Sequence, residues 1–178
     1  MTYITTYSGK RVDIENPVPE AFDMVDIAHA LSFICRGGGN TQIFFPVARH
    51  CVYCALEAKA RGYSRDVILA CLLHDASEAY MVDVPKPIKD NLIPQYRVYE
   101  NKVLECIYRK YLGRDLTEEE LELVDKVDRE ILNYDLKYLL NMDVELPEIN
   151  IELKYEFEPF EVSEKTYLDM FEELCDRA

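Results

Sequence analysis

Apolar residues recur at helical spacing along most of the chain, and this pattern of inward and outward positions predicts a series of amphipathic helices. Ile27, Ala30, Leu31 and Ile34 mark a first helix, capped by Asp23 or Asp26 and running to about Arg36. A second starts at Pro46, a residue favoured in the first turn, and ends near Gly62. Ser64 caps a third, which follows the stripe Val67, Ala70, Cys71 and His74 to about Tyr80. From about Pro94, Val98, Leu104, Ile107, Tyr108 and Tyr111 form the inner side of a helix that Gly113 stops. Thr117 opens a long acidic helix with a Thr-x-x-Glu capping pattern to Glu120, and a last helix is capped near Ser163. Residues 3–14 alternate weakly around Ser8-Gly9-Lys10, which predicts a small β-hairpin appended to the helices. The expected class is all-α, a helical bundle with an N-terminal hairpin.

One stretch interrupts the apolar pattern. ACLLHDASEAYMVDVPKPIK (70–89) sets His74, Asp75 and Glu78 inside an apolar run and then breaks at two prolines. On a continuous helix His74 and Glu78 lie one above the other with Asp75 on the same flank, and the stripe through Cys71 turns that flank inward. Charge placed there needs compensation. A metal ion is the simplest form of it, since an imidazole and a carboxylate together suit a borderline or hard divalent cation. The alternative is a surface helix end with a stray histidine. His50 on the preceding helix answers to the motif, and three aspartates of the long acidic helix compete to complete it. Asp125 has a largely polar face, Asp128 adjoins Val124, Ile131 and Leu132, and Asp135, two turns on, suits a supporting position behind the ligands.

Arg36 precedes Gly37-Gly38-Gly39, and a permissive backbone beside an arginine suits a phosphate or sugar contact; a helix C-cap with arginine on the dipole is the alternative. Residues before proline avoid the helical region, so Val84 and Lys86 read as extended. The stiff loop then aims Asp83 and Lys86 or Lys89 at something definite, unless the lysines are merely solvated. His29, on the first helix, reads as an extra ligand or as a satisfied core histidine.

The 178 residues fit one domain, 1–178, with the hairpin at 1–15 and an acidic, proline-interrupted extension at 141–178 in which no chemistry is found. A formal net charge of −14 disfavours nucleic acid as a partner, whereas a small phosphorylated substrate can bind where a metal and a few cations reverse the field locally. The start of the chain has no apolar core of signal-peptide length, and no segment approaches the roughly 20 apolar residues of a membrane span, so a cytoplasmic protein without membrane contact is expected. Cys51 and Cys54 form a CxxC without the second pair of a zinc ribbon, and Cys35, Cys71, Cys106 and Cys175 are isolated. Reduced thiols are expected, with Cys51 and Cys54 as small packing residues.

The order His50, His74-Asp75, Asp128, each part on its own helix, resembles the HD-domain metal-dependent phosphohydrolases. The segments DIAHALSFICR, PVARHCVYCA, LLHDASEAYMVDVPKPIK and VDKVDREIL carry the resemblance over roughly residues 1–140. They look like the short phage and bacterial members and, more distantly, the bacterial 5′-deoxynucleotidases. The resemblance implies that His50, His74, Asp75 and Asp128 are the metal ligands, which leaves His29 to a structural role. It also implies a substrate contact for Arg36, which precedes His50 at close to the distance at which those enzymes carry such an arginine. Their arginine is followed by tryptophan and this one by Gly37, so sugar selectivity is not implied. Asp83 stands where the deoxynucleotidases carry an active-site acid after HDxxE.

Two histidines and two aspartates leave room on an octahedral ion for water and a phosphate oxygen. Glu78 is placed to accept or relay the proton of the water, and Asp83 can assist the leaving group. With three histidines in the whole chain, one metal ion is expected: Mn²⁺, Co²⁺, Fe²⁺, Ni²⁺ or Mg²⁺, with Zn²⁺ also compatible. The expected function is a 5′-deoxynucleotidase releasing phosphate from deoxynucleoside monophosphates. The alternatives are a deoxynucleoside triphosphate triphosphohydrolase, like related small phage enzymes that act on dATP, a hydrolase of a signalling nucleotide, and a nucleotide-binding regulator without turnover. Assembly into a dimer or larger homo-oligomer is expected.

Overall fold

The computed structural model describes residues 3–176 and is mostly helical. Strands β1 (Tyr3–Thr5) and β2 (Arg11–Asp13) pair antiparallel with Ile4 opposite Val12, and the helices follow. They are α1 (Met24–Phe33), α2 (Val47–Ala60), α3 (Arg65–Leu73), α4 (Glu78–Met81), α5 (Lys86–Asn91), α6 (Gln95–Leu112), α7 (Glu118–Leu140) and α8 (Phe160–Asp176). No helix among the described residues is long and apolar enough to cross a membrane.

The bundle is built around α2, which packs against α1, α3, α7 and α8. Every residue from Val47 to Ala55 is buried, as befits a helix covered on all sides. The apolar run of α3 is buried from Val67 to Leu73, and α7 turns the stripe Val124, Val127, Ile131, Asp135 and Leu139 inward. The predicted caps at Asp23, Ser64 and Thr117 are present, the last as a complete capping box with Glu120.

Several local expectations are corrected. The hairpin is not an appendage: Val12 and Ile14 join the core, and buried Asp26 accepts hydrogen bonds from the Ser8 backbone and hydroxyl at 2.7 and 2.8 Å. Helix α1 stops at Phe33, so Arg36 lies beyond it and cannot cap it. Lys86 is not extended but opens α5, because Pro87 in the first helical turn has no N–H to leave unpaired. Val98 is exposed, since the first turns of α6 project past the core. Helix α8 starts before Ser163, whose buried hydroxyl donates back to Glu158 at 2.6 Å.

The correction with most effect on the site concerns residues 64–80, which do not form one continuous helix. α3 ends at Leu73, and the chain continues in tighter turns whose bonds run Ala76 N–H to Leu73 O at 2.8 Å and Glu78 N–H to Asp75 O at 2.9 Å. The Cys71 carbonyl, the regular partner of the Asp75 N–H, is taken by His74 Nδ1 at 2.8 Å. With about three residues per turn, Glu78 aligns with Asp75 and not with His74.

Segment 147–156 forms an extended strap along α2. Arg49, Tyr53 and Glu57, four apart on one face of α2, bind the Glu156 carbonyl, the Lys154 backbone and the Asn150 N–H, respectively.

The core packing predicts a sharp contrast between two leucines. Leu72 is fully buried and Leu92 is 72% exposed. Leu72→Ala should therefore cost about 2–5 kcal/mol and Leu92→Ala less than about 0.5 kcal/mol, as measured by urea unfolding of the two variants.

Candidate functional site

α2, the end of α3 and α7 meet at one point, and each delivers an imidazole or a carboxylate there. His50 is fully buried, and its Nδ1 donates to Asp135 Oδ2 at 2.8 Å. Asp135 is anionic: burial works against its charge, but His50, Arg36 and Tyr155 hold its pKa below the usual carboxylate range. An ionised carboxylate can only accept, so His50 carries a proton on Nδ1. Its other nitrogen, Nε2, faces Asp128 Oδ1 at 3.0 Å and Cys54 Sγ at 3.5 Å. At His74 the bond to the Cys71 carbonyl likewise commits Nδ1 as the donor. Its Nε2, buried and without a hydrogen-bond partner, looks onto Asp75 Oδ2 at 3.3 Å and Asp128 Oδ1 at 3.4 Å.

Acceptors thus point at acceptors, an arrangement that is stable only if a proton or a cation sits between them. Burial opposes charge on both imidazoles, yet the surrounding anionic groups, Asp135 and Asp128 at His50 and Asp75 and Asp128 at His74, push each pKa well above the ordinary histidine value. Around the two imidazoles the carboxylates of Asp75, Asp128 and Asp135 stand against the guanidinium of Arg36. Protons on the imidazoles or a bound cation supply the balancing charge, and the spacing agrees with a cation. Donors bound at about 2.1 Å around one cation lie about 3.0 Å apart in octahedral and 3.4 Å apart in tetrahedral geometry. The ligand atoms of His50, Cys54, His74 and Asp128 all lie within 4.8 Å of one another. The residues present therefore fit a bound divalent metal ion.

The site borders a cleft of about 620 Å³ between α6, α7 and the loop after α4. Among the residues singled out in the sequence, Arg36, His74, Asp75, Asp83 and Asp128 line it, with Lys86 and Lys89 on the loop side. His50 and Glu78 are buried behind it. All three aspartates of α7 line the cleft: Asp128, with a side chain 30% exposed, faces both histidines, Asp125 is exposed at the rim and pairs with Arg129, and Asp135 is buried against His50 Nδ1. The guanidinium of Arg36 bridges Asp75 at 3.2 Å and Asp135 at 3.3 Å, which ties a ligand candidate to the residue behind His50.

Burial, together with Asp75 and Asp83, raises the pKa of Glu78 well above the carboxyl range, and its Oε2 has no partner. Its Oε1 lies 3.5 Å from Lys89, which is itself buried and also pairs with Glu100. Lys89 is therefore directed into protein carboxylates, while Lys86 is exposed on the wall of the cleft. Asp83 accepts the Gly37 N–H at 3.0 Å, which the left-handed turn at Gly37 and Gly38, both at φ 62°, directs toward it. The preceding Val82 is held at φ 61°, ψ 159°, a conformation that costs a non-glycine residue about 1–3 kcal/mol. The Tyr96 hydroxyl clamps the Met81 and Val82 carbonyls at 2.6 and 2.5 Å.

His29 takes no part. It stacks on Tyr7 at 3.8 Å and meets Glu164 at 3.2 Å. Two further residues reach the site. Tyr155, from the extension in which no chemistry was expected, donates to Asp135 Oδ1 at 2.9 Å. Cys54 is one turn after His50, and the i, i+4 rule applied to the HD motif is the signal that would have found it. All six cysteines are free thiols.

No model of a known protein family matches the chain. It is similar to the uncharacterized protein YfdR of Escherichia coli, 36% identical over 111 residues that make up 62% of this chain and 59% of YfdR. It is also similar to an uncharacterized protein of Rhodobacter capsulatus, 32% identical over 108 residues, 58% of this chain and 55% of that protein. The chain thus spans less than two thirds of the length of either relative.

Tyr155 orients Asp135, and Asp135 in turn orients His50. Tyr155→Phe should lower the affinity for Co²⁺ or Mn²⁺ by about tenfold, the lower end of what loss of an outer-shell partner costs. Calorimetric titration checks this, and an unchanged affinity would reduce Tyr155 to an anchor of the strap.

Proposed function

We propose that this chain is a metal-dependent phosphohydrolase of the HD-domain type, acting on small nucleotides and preferring deoxynucleoside monophosphates. The observation that carries the reading is the meeting of His50, His74 and Asp128, from three helical segments, with Asp75 against His74 at 3.3 Å, beside a cleft of about 620 Å³. That volume suits a nucleotide-sized ligand. The order of these residues in the chain is also the order that resembles the HD phosphohydrolases.

His50, His74, Asp75 and Asp128 would hold one divalent cation. When bound, it supplies Lewis acidity, which lowers the pKa of water and offsets phosphoryl charge. The protein's own groups do the rest. Asp135 and the Cys71 carbonyl engage Nδ1 of the two imidazoles, which would leave both Nε2 atoms to hold a bound cation. Arg36 holds Asp75 in place and retains N–H donors for a phosphate oxygen. Glu78, with one oxygen unpartnered, relays the proton lost by water. Asp83 at the cleft assists the leaving group, and Lys86 on the loop wall attracts the anionic substrate.

The decisive assay incubates the purified protein with deoxynucleoside mono- and triphosphates and Mn²⁺, Co²⁺, Mg²⁺ or Zn²⁺. Orthophosphate released from the monophosphates is expected. Tripolyphosphate released from dNTPs would reassign the enzyme to triphosphohydrolysis, and nucleotide binding without turnover would make it a regulator.

His74→Ala and Asp128→Ala should abolish metal binding in elemental analysis of the purified variants. Full occupancy in Asp128→Ala would transfer the ligand role to another residue. Glu78→Ala should keep the metal and lose about 10²–10⁴-fold in kcat.

Arg36→Lys should lower kcat/KM about as much as Arg36→Ala, because a point charge cannot bridge Asp75 and Asp135 as a planar guanidinium does. A fully active Arg36→Lys protein would place Arg36 in the scaffold.

A further inference from the structure

We propose that Cys54 is an additional donor to the metal, so that the centre is a mixed imidazole, carboxylate and thiolate site favouring Zn²⁺, Co²⁺ or Fe²⁺ over Mg²⁺ and Mn²⁺. The inference rests on the metal-dependent reading above and goes beyond it in naming a donor that the His-HD-Asp pattern does not contain. His50 and Cys54 are four apart on α2 and share one flank. Cys54 is 1% exposed, and its Sγ lies 3.5 Å from His50 Nε2, the nitrogen not engaged by Asp135. The same sulfur groups with His74 and Asp128, all ligand atoms falling within 4.8 Å.

A second observation, independent of the cysteine, marks the point as a ligand position. His74 Nε2 is aimed into this group from another segment, on a side chain only 8% exposed, and has no hydrogen-bond partner. A buried nitrogen left unpaired costs stability unless something binds it.

Of the other cysteines, Cys51 groups instead with His74 and Asp75, and Cys71, Cys35, Cys106 and Cys175 belong to neither group. Cys54 alone can join both histidines. On binding, the thiol gives its proton to solvent and the sulfur bonds as thiolate. Thiolate is a soft donor, which shifts preference away from ions that require oxygen ligands.

The test uses the full chain with Co²⁺ as the probe. Thiolate bound to Co²⁺ gives a charge-transfer absorption in the near ultraviolet, separate from the visible d–d bands that any Co²⁺ site shows. Wild type and Cys71→Ser should show both, whereas Cys54→Ser and Cys54→Ala should keep the visible bands and lose the charge-transfer band. The affinity of both Cys54 variants for Zn²⁺ should drop about 100-fold while that for Mn²⁺ changes less than about threefold. Melting curves confirm that the variants fold, Cys51→Ser should keep the charge-transfer band, and loss of that band in Cys51→Ser would assign the sulfur to Cys51 and overturn the proposal. Visible bands without charge transfer in wild type, or charge transfer that persists in Cys54→Ser, would overturn the proposal and leave the metal centre standing. Absence of any Co²⁺ binding would overturn the metal-centre reading itself.

Discussion

The structure depends on one buried contact, the hydrogen bond from His50 Nδ1 to Asp135 inside the core. It engages one nitrogen of His50, and so turns the other toward Asp128 and Cys54. It also places an ionised carboxylate among apolar side chains, which is tolerable only because Arg36 and Tyr155 bind the same group. Asp135 is therefore the hub at which α2, α7, the turn carrying Arg36 and the strap carrying Tyr155 are held in register.

This hub lies against the most enclosed helix of the bundle, which links function to stability. A cation bound where His50, His74 and Asp128 meet would cross-brace α2, α3 and α7, and binding free energy at such a point is folding free energy.

Much of this was legible in the sequence because it is periodic. The helices, their caps at Ser64 and Thr117, the place of His50 on α2 and the setting of Asp128 and Asp135 on the inner side of α7 follow from spacing along single elements. What was not legible rests on contacts that spacing does not encode. The break after Leu73 follows from one side chain capturing one carbonyl, His74 on Cys71. Lys89 turns inward because Glu100 on the next helix and Glu78 on α4 wait for it. Tyr155 belongs to a segment with no regular period, so its reach back to Asp135 had no pattern to announce it.

The strap over α2 is held chiefly through its own backbone: the N–H of Asn150, both polar groups of Lys154 and the carbonyl of Glu156 meet side chains presented by the helix. Such an arrangement recognises a path and not a spelling. Ile149, Ile151, Leu153 and Tyr155 pack against the core at every second position, so evolution can rewrite the residues between them more freely than these four. Inserting or deleting a single residue would shift every peptide group past its partner on α2 and carry Tyr155 away from Asp135. Drift in this segment will therefore be confined to alternate positions and frozen in length.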